Sequence, residues 1–127
     1  MSISKTVSAR NAACNGIVDL IDVNGPGSLK IYDTISGPPA VLASFTFQNP
    51  AFGSASDGTA AANPITNTAV SSDGTATQFR VYDGNTSEIF RGVVTASGGG
   101  GDMEFNSVIF NTGTPLAISN ALFIVPE

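Results

Sequence analysis

The chain has 127 residues, of which 42% are hydrophobic and only 12% are charged. This length and composition suit one domain with its own core and exclude a chain that is disordered by composition. The net charge of −5 argues against binding to nucleic acid or to an anionic membrane.

The sequence contains no histidine and a single cysteine, Cys14. A histidine general base, a Cys-His dyad and the usual zinc ligand sets are therefore excluded, and no intrachain disulfide can form. No apolar run reaches the roughly 20 residues of a membrane helix, and no signal peptide precedes Cys14. We expect a soluble, non-enzymatic chain made in the cytoplasm, with no catalytic, cofactor-binding or metal-binding residues and with Cys14 as a buried, inert thiol.

Residues 4–24 predict one amphipathic helix. Ser4 is the expected N-cap, and the segment from Asn24 to Gly27 is a strong stop because it contains Gly25 and Pro26. The apolar residues with helical spacing predict a buried stripe. Its members are Ala9, Ala13, Ile17, Leu20 and Ile21, and the stripe is widened by Val7, Cys14 and Val18.

Residues 28–125 predict short strands, because the apolar period changes to two after Gly27. The expected strands lie at 29–32, 41–48, 65–70, 75–83, 88–96, 103–110 and 116–125, with a loop at 33–40. Helices do not alternate with these strands, so a parallel sheet is not expected. The predicted fold is a single mainly β domain over residues 1–127: an antiparallel β-sandwich or open barrel of about seven strands with one N-terminal α-helix.

The clearest pair of strands is a hairpin centred on Asp83-Gly84-Asn85. Phe79 and Val81 are predicted to face inward, and Gly84 is predicted to need a positive φ. Four consecutive glycines, Gly98 to Gly101, predict a flexible connection. They lack the Lys-Ser/Thr partner and the following helix of a phosphate-binding loop.

Two arginines on the hairpin, Arg80 and Arg91, have two interpretations. They either pair across the strands with nearby carboxylates such as Glu88, or one of them contacts a partner protein, where arginine is enriched in hot spots. With the outward Tyr82, they are our candidate partner-binding residues: Arg80, Tyr82 and Arg91.

Four stretches, taken together, resemble small proteins encoded among the structural genes of tailed bacteriophages. They are residues 9–21, 27–32, 41–53 and 74–83. The resemblance implies a virion component on the capsid surface, a capsid decoration or cement protein that stabilises the head shell. It implies the major capsid protein and further copies of the same chain as partners, with a trimer matching the local threefold positions of an icosahedral shell, and it implies no catalytic residue.

Two alternatives remain open. One is an accessory structural protein of the tail, connector or baseplate, because the resemblance does not separate these positions in the particle. The other is a carbohydrate-binding module, although the absence of tryptophan and the presence of only two tyrosines argue against exposed aromatic platforms.

Overall fold

The structure is a computed structural model that describes residues 4–33, 39–118 and 121–124. Residues 34–38 of the predicted loop and the predicted end of the last strand at Val125 lie outside the described residues. The described strands are β1 (Ser28–Tyr32), β2 (Val41–Thr46), β3 (Thr59–Ala61), β4 (Thr68–Ala69), β5 (Gly74–Thr75), β6 (Gln78–Tyr82), β7 (Glu88–Ala96), β8 (Met103–Phe105), β9 (Ile109–Phe110), β10 (Pro115–Leu116) and β11 (Leu122–Ile124). The prediction of a mainly β fold with one N-terminal helix is confirmed.

The helix α1 spans Val7–Val18 and continues as a 3₁₀ turn over Asp19–Asp22. Thr6 is the N-cap, since its hydroxyl accepts a hydrogen bond from the Ala9 amide at 3.1 Å, so the prediction of Ser4 as the cap is wrong. Threonine fits the role because its oxygen satisfies one of the amides that the first turn leaves free.

The buried stripe of this segment is Cys14, Val18 and Ile21. All three belong to the predicted stripe, but the prediction is wrong elsewhere: Ala9 and Ala13 are exposed, Ile17 is half-buried, and Leu20 is 47% exposed. The buried face is centred on Cys14 and Val18, which the prediction places at the margin of the stripe.

The largest sheet has five strands in the order β2-β1-β6-β7-β8. All neighbours run antiparallel except β7 and β8, which pair in parallel. Three two-stranded sheets, β4 with β10, β3 with β11 and β5 with β9, complete the described pairings. The parallel pair differs from the expected all-antiparallel arrangement, because the glycine segment folds back and returns the chain in the direction of β7.

The core lies on one face of the five-stranded sheet. Its inward residues include Leu29 and Ile31 on β1 and Phe79 and Val81 on β6, and they belong to the same buried cluster as the helix stripe and Ala60 on β3. The opposite face of the sheet carries Lys30, Tyr32, Arg80 and Tyr82, because successive strand residues point to opposite sides. We call this second side the outer face.

The predicted hairpin is confirmed as β6 and β7. The Asp83 carboxylate accepts hydrogen bonds from the amides of Asn85 and Ser87, both at 2.9 Å, and these bonds close the turn. The positive φ of the turn is at Thr86, with φ 63°, and not at Gly84 as predicted. Gly84 is needed for a different reason: an added Cβ would overlap the backbone of Asn24.

Candidate functional site

The three predicted partner-binding residues lie on the outer face of the five-stranded sheet. Arg80 on β6 is directly opposite Arg91 on β7, and on its other side it is directly opposite Lys30 on β1. These pairings align three cations across three neighbouring strands. We call Lys30, Arg80 and Arg91 the cation row.

Two tyrosines pack against the cation row. The guanidinium carbon of Arg80 lies 4.8 Å from the ring centroid of Tyr32, and the Lys30 ammonium lies 5.4 Å from that of Tyr82. The two hydroxyl groups meet at 2.5 Å. Each ring therefore contacts one cation through its electron-rich face, and these contacts hold both cations in place.

Tyr82 is less accessible than expected of a partner-binding residue. It lies on the outer face, as predicted, but it is only 9% exposed, and Tyr32 is 6% exposed. Burial, together with the hydrogen bond between Tyr32 and Tyr82, raises the pKa of Tyr32 to about 12. Tyr32 is therefore neutral at physiological pH and supplies no negative charge to the cations beside it.

Arg91 differs from the other two cations because it has its own counter-ion. Its Nε and one terminal nitrogen donate to the two carboxylate oxygens of Glu88, each at 2.6 Å. The hydrogen bonds from Arg91 lower the pKa of Glu88 and, in return, raise the pKa of Arg91. The first interpretation expects pairing across the strands, whereas the observed ion pair joins Arg91 and Glu88 within one strand, β7.

Lys30 and Arg80 form no ion pair with a carboxylate in the described part of the chain. Arg80 donates through Nε to the side-chain oxygen of Gln78 at 3.3 Å, which is a neutral partner. Like charges that face each other directly across a sheet are destabilising. The pair Lys30–Arg80 therefore has no bonded carboxylate partner among the described residues, although the charge of Glu88 is close enough to interact with Arg80.

Sequence reasoning missed Lys30 and Tyr32 as members of this site. Their alternation with Leu29 and Ile31 does place them on the opposite side of β1 from the core. What the alternation does not reveal is that β1 pairs with β6, about fifty residues later in the chain, in the register that sets Lys30 beside Arg80. Only that register joins the cations into one row.

A second feature is a cavity of about 250 Å³ between the inner face of the sheet and the C-terminal segment. Six phenylalanines line it, namely Phe47, Phe52, Phe79, Phe90, Phe105 and Phe123. Asp102 and Glu104 also line it, but three of their four carboxylate oxygens accept backbone amides, from Val93, Gly98 and Gly100. The cavity therefore offers few free polar groups to orient a ligand.

The glycine segment, which the sequence predicts to be flexible, is held by hydrogen bonds from all four of its amides, including one from Gly99 to the Ala96 carbonyl at 2.9 Å. Gly98 and Gly100 donate to the Glu104 carboxylate, each at 3.1 Å, and Gly101 donates to the Thr95 hydroxyl at 3.0 Å. Both Gly98 and Gly100 have a positive φ, which turns their amides toward the same carboxylate. The anion that this segment binds thus comes from the chain itself.

Cys14 is fully buried, and burial raises the pKa of its thiol. Its Sγ donates to the Phe123 carbonyl at 3.4 Å. Within residues 4–33, 39–118 and 121–124, no three His, Cys, Asp or Glu side chains come together as a metal site. In the same ranges, no helix has the length and apolar character needed to cross a membrane.

Comparison of the chain with protein-family models, with curated proteins and with solved structures gave no match.

Proposed function

We propose that the chain is a non-enzymatic structural protein of a tailed-phage particle, which decorates and stabilises the head shell by docking through its outer sheet face. The observation that carries this proposal is the cation row. Three of the five Lys and Arg residues of a chain with a net charge of −5 stand in register on one face. The sequence resemblance to phage structural proteins supplies the biological setting.

A positive face on an acidic chain favours an acidic protein surface as its partner. The overall negative charge repels nucleic acid, whereas a local row of two or three cations matches a few carboxylates on another protein. The partner in this proposal is the major capsid protein. Many equivalent contacts around the shell would add by avidity, so that each single contact needs only modest strength.

The proposal includes association of the chain with copies of itself, for which a trimer on the threefold positions is the arrangement considered. Leu122 and Ile124, both on β11, are 58% and 56% exposed. Alternate residues of a strand point to the same side, so these two apolar side chains share one side of β11. Such a surface supports contact with another subunit. Analytical ultracentrifugation of the purified chain measures its oligomeric state.

The number of copies per particle distinguishes head decoration from an accessory role in the tail, connector or baseplate. Quantitative mass spectrometry of purified particles should find hundreds of copies, lost together with resistance of the head to heat. A handful of copies confined to tails would replace the head assignment by the tail assignment, and absence from particles would overturn both. The carbohydrate-binding alternative gains no support from Tyr32 and Tyr82, whose rings are at most 9% exposed.

The docking face is tested with heads that lack the protein. Wild-type protein should rebind to such heads, and the triple variant Lys30→Gln, Arg80→Gln, Arg91→Gln should rebind at least about tenfold more weakly, because each lost charge contact at an interface weakens binding. The matched control is Lys5→Gln, which removes an exposed cation outside the row. Equal losses in the control and in the triple variant would contradict docking through this face.

A further inference from the structure

The Lys30–Arg80 part of the cation row has more hydrogen-bond donors than acceptors. The Lys30 ammonium contributes three N–H donors, and its described contact is with the ring face of Tyr82. Arg80 uses only Nε, which leaves its terminal N–H groups available.

We propose that Lys30 and Arg80, which are held in place by the rings of Tyr32 and Tyr82, form a preformed carboxylate site, which takes the side chain of an aspartate or glutamate on the docking partner. This inference rests on the proposed function and names the chemistry that the outer face recognises. A carboxylate brings acceptors without donors and one negative charge, and these are what the cluster lacks.

The same face shows that a carboxylate fits beside its arginines. Glu88 binds Arg91 with two hydrogen bonds of 2.6 Å, one from Nε and one from a terminal nitrogen. Arg80 stands directly opposite Arg91, and its terminal nitrogens are free for a comparable contact. The chain supplies a carboxylate to Arg91, whereas the Arg80 position is left for one from outside.

The cluster is held ready for its ligand. The ring faces of Tyr32 and Tyr82 fix the two cations, so little side-chain freedom is lost on binding. Lys30 and Arg80 are both half-buried, which strengthens a charge contact relative to one in bulk water. A bound carboxylate would also relieve the repulsion between the two facing cations.

The test uses the purified full chain and two small probes. N-acetylglutamate amide carries the side-chain carboxylate, and N-acetylglutamine amide is its uncharged match. Binding is followed by NMR shifts of the Arg80 Nε–H group and of the tyrosine rings at low ionic strength, where exposed charge contacts are least screened. We expect saturable shifts with the glutamate probe and none with the glutamine probe.

Variants locate the site. Lys30→Gln should weaken binding of the glutamate probe by about tenfold, and Tyr82→Leu, which removes the ring that holds Lys30, should weaken it severalfold without changing the charge. Lys5→Gln should leave it unchanged. Thermal unfolding of each variant checks that the fold is retained, and the comparison of the two probes on the wild-type chain stands even where a variant does not fold.

Several outcomes overturn the site. They are equal shifts with both probes, equal weakening by Lys30→Gln and Lys5→Gln, and tighter binding of inorganic phosphate than of the glutamate probe, which would make it a phosphate site. The proposed function fails separately. A chain that binds the glutamate probe but does not rebind to heads overturns the decoration role alone, and a chain that decorates heads without distinguishing the two probes overturns the carboxylate site alone.

Discussion

At the scale of single residues, Gly84 and Gly16 have opposite effects on stability. Gly84 donates its amide to the Val23 carbonyl at 2.9 Å and lies so close to Asn24 that a Cβ would overlap that backbone. Gly16, on α1, has nothing within 4 Å of an added Cβ. The first glycine permits a close backbone approach, whereas the second only lowers helix propensity.

We therefore expect Gly84→Ala to lower the free energy of unfolding by about 1–3 kcal/mol, because the backbone of one turn must move away from the other. Gly16→Ala should raise it by about 0.5–1 kcal/mol, since alanine is the better helix former. Urea denaturation of both variants measures the two changes. A Gly84→Ala variant with unchanged stability would show that the hairpin turn at Gly84 does not contact the segment at Asn24.

The raised pKa of Tyr32 gives a second prediction at this scale. The unfolded tyrosine ionises near its ordinary pKa of about 10, whereas the folded one retains its proton up to about 12. Stability from this group is fully present below pH 10 and is lost as the pH rises from about 10 to 12, by an amount on the order of 1–3 kcal/mol. Tyr32→Phe should show a shallower loss in urea denaturation between pH 9 and 11, and an equally steep loss would refute this origin.

At the scale of elements, substitutions in the helical segment test which of its sides faces the core. Ile21 is fully buried and Leu20 is 47% exposed, although they are neighbours in the same 3₁₀ turn. Ile21→Ala should lower the free energy of unfolding by about 2–5 kcal/mol, because it leaves a cavity. Leu20→Ala is the matched control and should cost about 0.5 kcal/mol or less. Similar losses of stability in both variants would show that Leu20 also faces the core, as the sequence predicts.

The elements also show why the sequence predicts some features and not others. The period of two places Leu29 and Ile31 on the core side of β1, and a single buried face leaves no other choice. In the helix, apolar and small residues occupy several neighbouring faces, so Ile17 and Val18 compete and only the packing partner decides between them. Local pattern is sufficient where one arrangement is clearly better and insufficient where two are nearly equal.

At the scale of the whole molecule, the candidate site depends on pairings between distant parts of the chain. Arg80, Tyr82 and Arg91 come from one hairpin, and the sequence predicts their region because the turn at Asp83 is local. Lys30 and Tyr32 join them through the β1–β6 pairing, for which no local pattern gives the register. The sequence therefore predicts the hairpin side of the site, with Arg80 and Tyr82, but not the β1 side, with Lys30 and Tyr32.

The contact between Cys14 and Phe123 has a consequence for the order of events during synthesis. The two residues are 109 positions apart, and β11 also pairs with β3. Most of the strands are synthesised between the helix and the strand that closes over Cys14. The packing of the helix is therefore complete only after β11 has been made, and such non-local closure is the slow part of folding for β-rich topologies.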